Sequence, residues 1–79
     1  MNFAIINNGS TKKFSQFIAQ DAAGKLLATI TPRLMATGKY SDRFLNVCFM
    51  DGSVEIADRQ DGAHETDHAS EIIAKKLFA

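Results

Sequence analysis

The residues best equipped for chemistry lie in one stretch, His64-Glu65-Thr66-Asp67-His68. On a helix, two imidazoles four positions apart stand one turn apart on one face. They can then share a divalent metal, while the glutamate between them takes a proton from the metal-bound water. That chemistry is metal-assisted hydrolysis. It needs a third protein ligand and a walled, dry cleft above the metal.

The surrounding residues argue against it. The helix signal begins only at Thr66 or Asp67, which leaves His64 in the loop before it. On a helical wheel His68 falls roughly 110° from the middle of the stripe made by Ala69, Ile72, Ile73 and Leu77, a direction that points to water. Every letter also has a plain use: Thr66 or Asp67 as N-cap, and Glu65 and Asp67 as anions at a helix start. The pentapeptide resembles the zinc-binding motif of metalloproteases, and that resemblance would make His64 and His68 ligands and Glu65 the general base. It covers five residues of 79. We therefore expect no catalytic residues, no metal site and no cofactor, with loose metal binding by His64, His68 and Glu71 as the weaker alternative.

The other reactive groups are no better placed. Cys48 is the sole cysteine. It sits mid-strand with no predicted Lys or His beside it to lower its pKa, so a core or half-buried thiol is expected. The glycines are scattered and form no phosphate-binding loop. Asp58-Arg59-Gln60-Asp61-Gly62 falls short of a calcium loop, because its alternate positions are Ala57, Arg59 and Asp61.

The elements that must position these groups are legible in outline. In RFLNVCFMDGSVEIAD, Asp51-Gly52 signals a two-residue hairpin turn. That turn would pair Met50 with Ser53, Phe49 with Val54 and Val47 with Ile56. Val47, Phe49, Val54, Ile56 and Leu45 would then share the core face, and Asn46, Cys48, Ser53 and Glu55 the outer one. Phe44 and Met50 would add leftover apolar surface, a candidate contact site. A C-terminal helix is expected over about Asp67 to Phe78. NFAIIN reads as a strand, and Asn7 to Ser10 as a turn. Residues 14–31 read as a hairpin around Asp21-Ala22-Ala23-Gly24, or alternatively as a helix at about residues 11–23. Pro32 is expected to end that element, residues 36–43 to form an exposed loop, and residues 58–66 a second. The expected fold is α+β: an antiparallel sheet of four to five strands with one C-terminal helix on one face, the alternative being a β-α-β-β-α order.

Size and charge bound the function. A chain of 79 residues makes one small domain and buries roughly 60–65% of its unfolded surface, which leaves little for a deep cleft. No disulfide pair, basic leader or long apolar run is present, so we expect a soluble cytoplasmic protein without a membrane partner. The formal net charge is zero, but residues 1–50 hold six basic and two acidic groups while residues 51–79 hold three basic and seven acidic ones. The acidic set is Asp51, Glu55, Asp58, Asp61, Glu65, Asp67 and Glu71. Such a surface could dock on a basic protein groove, including one that otherwise holds nucleic acid.

The expectation is a non-enzymatic protein–protein interaction module. In its concrete form it is a small inhibitor of phage or plasmid type that occupies a basic, nucleic-acid-binding surface of a host defence or nucleic-acid-processing complex. A homo-oligomer is compatible with the sequence. The alternative is nucleic-acid binding by the basic half through Lys12, Lys13 and Lys25. A terminal hairpin followed by a helix is similar in topology to the end of the double-stranded RNA-binding domain, which presents Lys at the start of its last helix. Here Glu65, Asp67 and Glu71 stand there and would repel phosphates.

Overall fold

Five runs of strand-forming residues, each broken by a turn, lie side by side in chain order. The computed structural model describes residues 2–10 and 15–78. The strands are β1 (Phe3–Ser10), β2 (Ser15–Asp21), β3 (Leu26–Leu34), β4 (Tyr40–Phe49) and β5 (Val54–Asp58), and helix α1 (Asp67–Leu77) follows. All neighbours pair antiparallel in the order β1-β2-β3-β4-β5. The α+β expectation holds, in its hairpin form.

Residues 15–34 are two strands, not a helix. Asp21 makes the turn between them: its Oδ1 accepts from the amides of Ala23 and Lys25, both at 2.9 Å, and Gly24 takes a φ of 84° that other residues adopt at a cost. The strands then bury Ala19, Ala28 and Ile30 completely. Phe14, Lys12 and Lys13 lie outside the described residues.

Several boundaries differ from the sequence reading. The strand continues through Asn7 to Ser10, where a turn was expected; the β1–β2 register shifts there, and the Gly9 amide bonds to Asn7 Oδ1 at 2.8 Å. Strand β3 runs past Pro32 to Leu34. The β3–β4 register breaks between Pro32 and Leu34, so the missing N–H falls where the ladder is already irregular. The loop expected over 36–43 shrinks to a tight turn, closed by Met35 N–H to Lys39 O at 2.8 Å. Strand β4 starts at Tyr40, and Ser41 is buried, its Oγ accepting from the amides of Arg43 and Phe44.

The β4–β5 hairpin carries the largest correction. Its loop has three residues, Met50-Asp51-Gly52, closed by Phe49 N–H to Ser53 O at 2.9 Å. Gly52 has a φ of 89°, and Asp51 Oδ1 accepts from the Ser53 amide and hydroxyl at 2.9 and 2.6 Å. This is a turn with one extra, left-handed glycine, a common hairpin alternative to the two-residue loop. It pairs Cys48 with Val54, Val47 with Glu55 and Asn46 with Ile56. A slip of one residue moves every β5 side chain to the opposite face. Val54 and Ile56 therefore leave the core, Glu55 joins the helix side, and Ala57 takes the buried position.

One face of the sheet holds the core. Phe3, Ala19, Ala28, Ile30, Leu45, Val47, Phe49 and Ala57 cluster with Ala69 and Ile73 of α1. The small residues Ala19, Ala28 and Ala57 give the helix a shallow floor. Near its start, His68 meets the end of β5; at its far end Phe78 stacks on Phe3 of β1, with ring centroids 5.4 Å apart. The helix thus lies beside β5, and the residue just past its end reaches across to β1. Leu77, expected in the core stripe, is 42% exposed. Thr66 occupies the N-cap position without a side-chain cap bond.

The register makes a sharp prediction. Val47→Ala should cost about 2–3 kcal/mol of stability, and Val54→Ala less than about 0.5 kcal/mol, by chemical denaturation. Equal costs would restore the two-residue loop.

Candidate functional site

The His64–His68 stretch is committed to holding the helix start. The helix begins at Asp67 and His64 lies before it. The His64 amide donates to Asp67 Oδ2 at 3.0 Å, and the Asp67 amide donates to the His64 carbonyl at 3.1 Å. Glu65 pairs with Arg59 at 2.7 Å. The Thr66 carbonyl accepts from Ser70 N–H. Gly62 lets the loop close over Asp67: a Cβ there would stand 2.6 Å from Asp67 Cβ.

His68 does not simply sit in water, as its wheel position implied. Its Nδ1 accepts the backbone N–H of Asp58 at 2.8 Å. An accepting ring nitrogen carries no proton, so this bond assigns the proton to Nε2. The bond ties the first turn of α1 to the last residue of β5. Among the described residues, no group of three or more His, Cys, Asp or Glu side chains is arranged to hold a metal ion.

The acidic residues separate into four sets. Asp58 and Glu65 are tied to arginines: Arg43 donates to Asp58 from Nε and Nη2 in a forked pair, with the shortest bond 2.9 Å. This bonding holds the Asp58 carboxyl below its ordinary value, helped by the Gln60 amide, and raises Arg43. Asp51 belongs to the turn, and its carboxyl is lowered mainly by the Ser53 hydroxyl and amide, with Lys76 at 3.8 Å adding a smaller pull. Asp67 packs inside the loop. Glu55, Glu71 and Asp61 are exposed; Glu55 and Glu71 border a shallow hollow with His68, Lys75 and Lys76, and Asp61 approaches His68 at 3.8 Å. The seven residues therefore do not form one free negative face.

The basic residues of the first half are also dispersed. Lys25 and Lys39 stand in turns at opposite ends of β3, and Arg43 is engaged by Asp58. A cleft of about 640 Å³ opens on the helix side between Phe17, Leu34, Leu45, Tyr40 and Arg59. Its buried hydroxyl, Ser41, already accepts two amides, and Arg59 is held by Glu65 and the Asp42 carbonyl.

The feature that sequence reasoning missed is the second face of the sheet. One row runs across all five strands: Ile6, Ile18, Thr29, Cys48 and Val54 are successive cross-strand partners. A second row joins Thr31, Asn46 and Ile56. Phe44 lies beyond it, opposite Asp58. No helix covers this side. Ile6 is 40% exposed, Phe44 37%, Val54 53% and Ile56 40%, while Met50, in the adjoining turn, is 66% exposed. Cys48 is a half-buried free thiol at the centre. The two rows carry no charged side chain, and the paired charges Arg43–Asp58 and Lys76–Asp51 lie at the two ends of β4 and β5. The signal available in the sequence was Phe44 and Met50; the hairpin register hid Val54 and Ile56.

No family model, curated protein or solved structure matches this chain.

Two predictions follow from these bonds. His68→Ala should destabilise the fold by about 1–2 kcal/mol through loss of an acceptor, and His68→Gln, which keeps one, should lose less. If zinc stabilises the wild type and not His68→Ala, a metal role replaces the structural one. The second concerns pH. A carboxylate whose folded pKa is depressed adds stability above its unfolded value of about 3.9 and loses it as pH falls through the lower folded value. Melting temperature should therefore drop on the acid side below about pH 4, and Asp58→Asn should flatten part of that drop. The effect is small because the ion pair is exposed.

Proposed function

We propose that this chain is a non-enzymatic protein–protein interaction module that seats the bare face of its sheet on a larger protein. One observation carries the reading: two uncharged rows of side chains, one of them across all five strands, present exposed Ile6, Val54 and Ile56, with Phe44 beyond them, on the face away from the only helix among the described residues. Contiguous apolar surface of this kind marks interaction sites in small proteins. An apolar centre bordered by polar and charged groups matches the usual anatomy of a protein interface. The expected partner surface is apolar at its centre and carries charge at its margin, opposite Arg43–Asp58 and Asp51. Phe44, Val54 and Ile56 supply the contact, and Met50 extends it from the turn.

Inhibition by occlusion, of the phage or plasmid kind, is the concrete form. A sheet face without a cleft of its own acts by covering a surface. A cytoplasmic setting fits a thiol that stays free. A second reading keeps the acidic side as the contact, against a basic groove. It is favoured by Glu55 and Glu71, which are exposed and make no ion pair among the described residues.

A tagged pull-down from cytosol of the source organism or its host separates the two. On the first reading a single protein is retained in stoichiometric amount, and Val54→Lys or Ile56→Lys abolishes retention while circular dichroism is unchanged. Retention that survives these changes, but disappears when Glu55, Asp61 and Glu71 are reversed to Lys, transfers the contact to the acidic side. Retention of nothing by the wild type defeats both.

A further inference from the structure

The sheet has two edges, and they are built differently. Strand β5 spans five residues, carries Glu55 and Asp58, and has its last amide taken by His68. Helix α1 lies along it. Strand β1 is eight residues long, FAIINNGS, with no charge and no proline. Its departure from a regular ladder is confined to the end, between Asn7 and Ser10. Proteins that keep a sheet edge unpaired usually blunt it with charge, proline, bulges or a covering element. Among the described residues the Phe3–Asn7 stretch has none of these, and its outer row of N–H and C=O groups is a template for another strand.

Both flanks of that edge are apolar. On the helix side, Phe3 and Ile5 face the core, and Phe78 stacks on Phe3 yet remains 41% exposed. On the bare side stand Ala4 and Ile6. We propose that β1 pairs antiparallel with β1 of a second copy of this chain, joining two five-stranded sheets into one of ten strands.

A second copy suits this edge better than a foreign strand. Antiparallel pairing centred on Ile5 sets Ile5 against Ile5 on the helix side and Ala4 against Ile6 on the bare side, with Phe3 opposite the uncharged Asn7 and no charge opposed to a hydrophobe. It is an isologous contact about a two-fold axis normal to the sheet, the commonest oligomer symmetry. That axis keeps both helices on one side, so Phe78 of each copy approaches the seam from the same face. The zero net charge removes long-range repulsion between copies. The same axis also places the two bare faces side by side, doubling the surface available to a partner. The inference stands apart from the partner-binding reading, because it concerns the edge rather than the face.

Sedimentation equilibrium of the full chain, with amide hydrogen exchange at low and high concentration, tests it. The expected result is a dimer in which the amides of residues 4–8 gain protection as concentration rises. Ile6→Lys should raise the dissociation constant at least about tenfold, because each lysine would oppose Ala4 of the other copy and stand diagonal to a second like charge. Asn8→Lys, on an exposed side chain, should act in the same direction, whereas Val54→Lys, on the far edge, should leave the dimer intact. A monomer at all concentrations overturns the proposal. So does a dimer that Val54→Lys dissociates without any change in β1 exchange, since stacking of the bare faces would then hold the copies together.

Discussion

A single helix covers one face of a five-stranded sheet and has nothing left for the other. Eleven residues extend about 16 Å, and the outer strands of a five-stranded sheet lie roughly 19 Å apart. The helix does not span that width itself: it lies beside β5, and Phe78, just past its end, reaches Phe3 of β1. Ala19 and Ala28 of the sheet share one core cluster with Ala69 and Ile73 of the helix, and all four are fully buried. Everything distinctive about the molecule follows from this allocation. The core is one-sided, and the opposite face meets water.

The two ends of the helix are held by different physics. At the β5 end the contact is polar: His68 accepts the last amide of the strand, and a loop built on Asp67, Gly62, Glu65 and Arg59 fixes the helix start. At the β1 end it is apolar, a stacked pair of phenylalanines. Between them Lys76 lies over the Phe49 ring, with its Nζ 4.7 Å from the centroid, and donates to Ser53 Oγ at 2.7 Å. Residues that look like a hydrolytic metal motif in one dimension are the polar fastening of this arrangement in three. The histidine that could have been a ligand uses one nitrogen to complete a strand.

The electrostatics show a related local economy. The halves of the sequence carry opposite charge, yet the fold brings them together. Arg43 of the basic half meets Asp58 of the acidic half, so the surface field is weaker than the linear charge pattern implies. Phosphate recognition needs a continuous basic track, and Lys25 and Lys39 are separated by the length of β3. Among the described residues, Glu55 and Glu71 stay exposed and without an ion pair on the helix side, and two uncharged rows run across the other.

The sequence by itself determined the fold class, the C-terminal helix and the presence of the hairpin at Asp51-Gly52. Periodicity, the aspartate–glycine turn and the stripe Ala69, Ile72, Ile73 are local signals, readable without neighbours. It also determined that Val47 and Phe49 are core, because either hairpin register keeps them there. Tertiary structure alone decided which face Val54 and Ile56 occupy. Two-residue and three-residue loops through Asp51-Gly52 are close in local energy, and they differ by one residue of register. The longer loop puts Ala57 beneath the helix, where a small side chain fits, and turns Val54 and Ile56 outward. The fate of His68 was likewise non-local, since its partner is a backbone amide ten positions earlier. Propensity sees a side chain and its helical neighbours; it does not see which strand end awaits an acceptor.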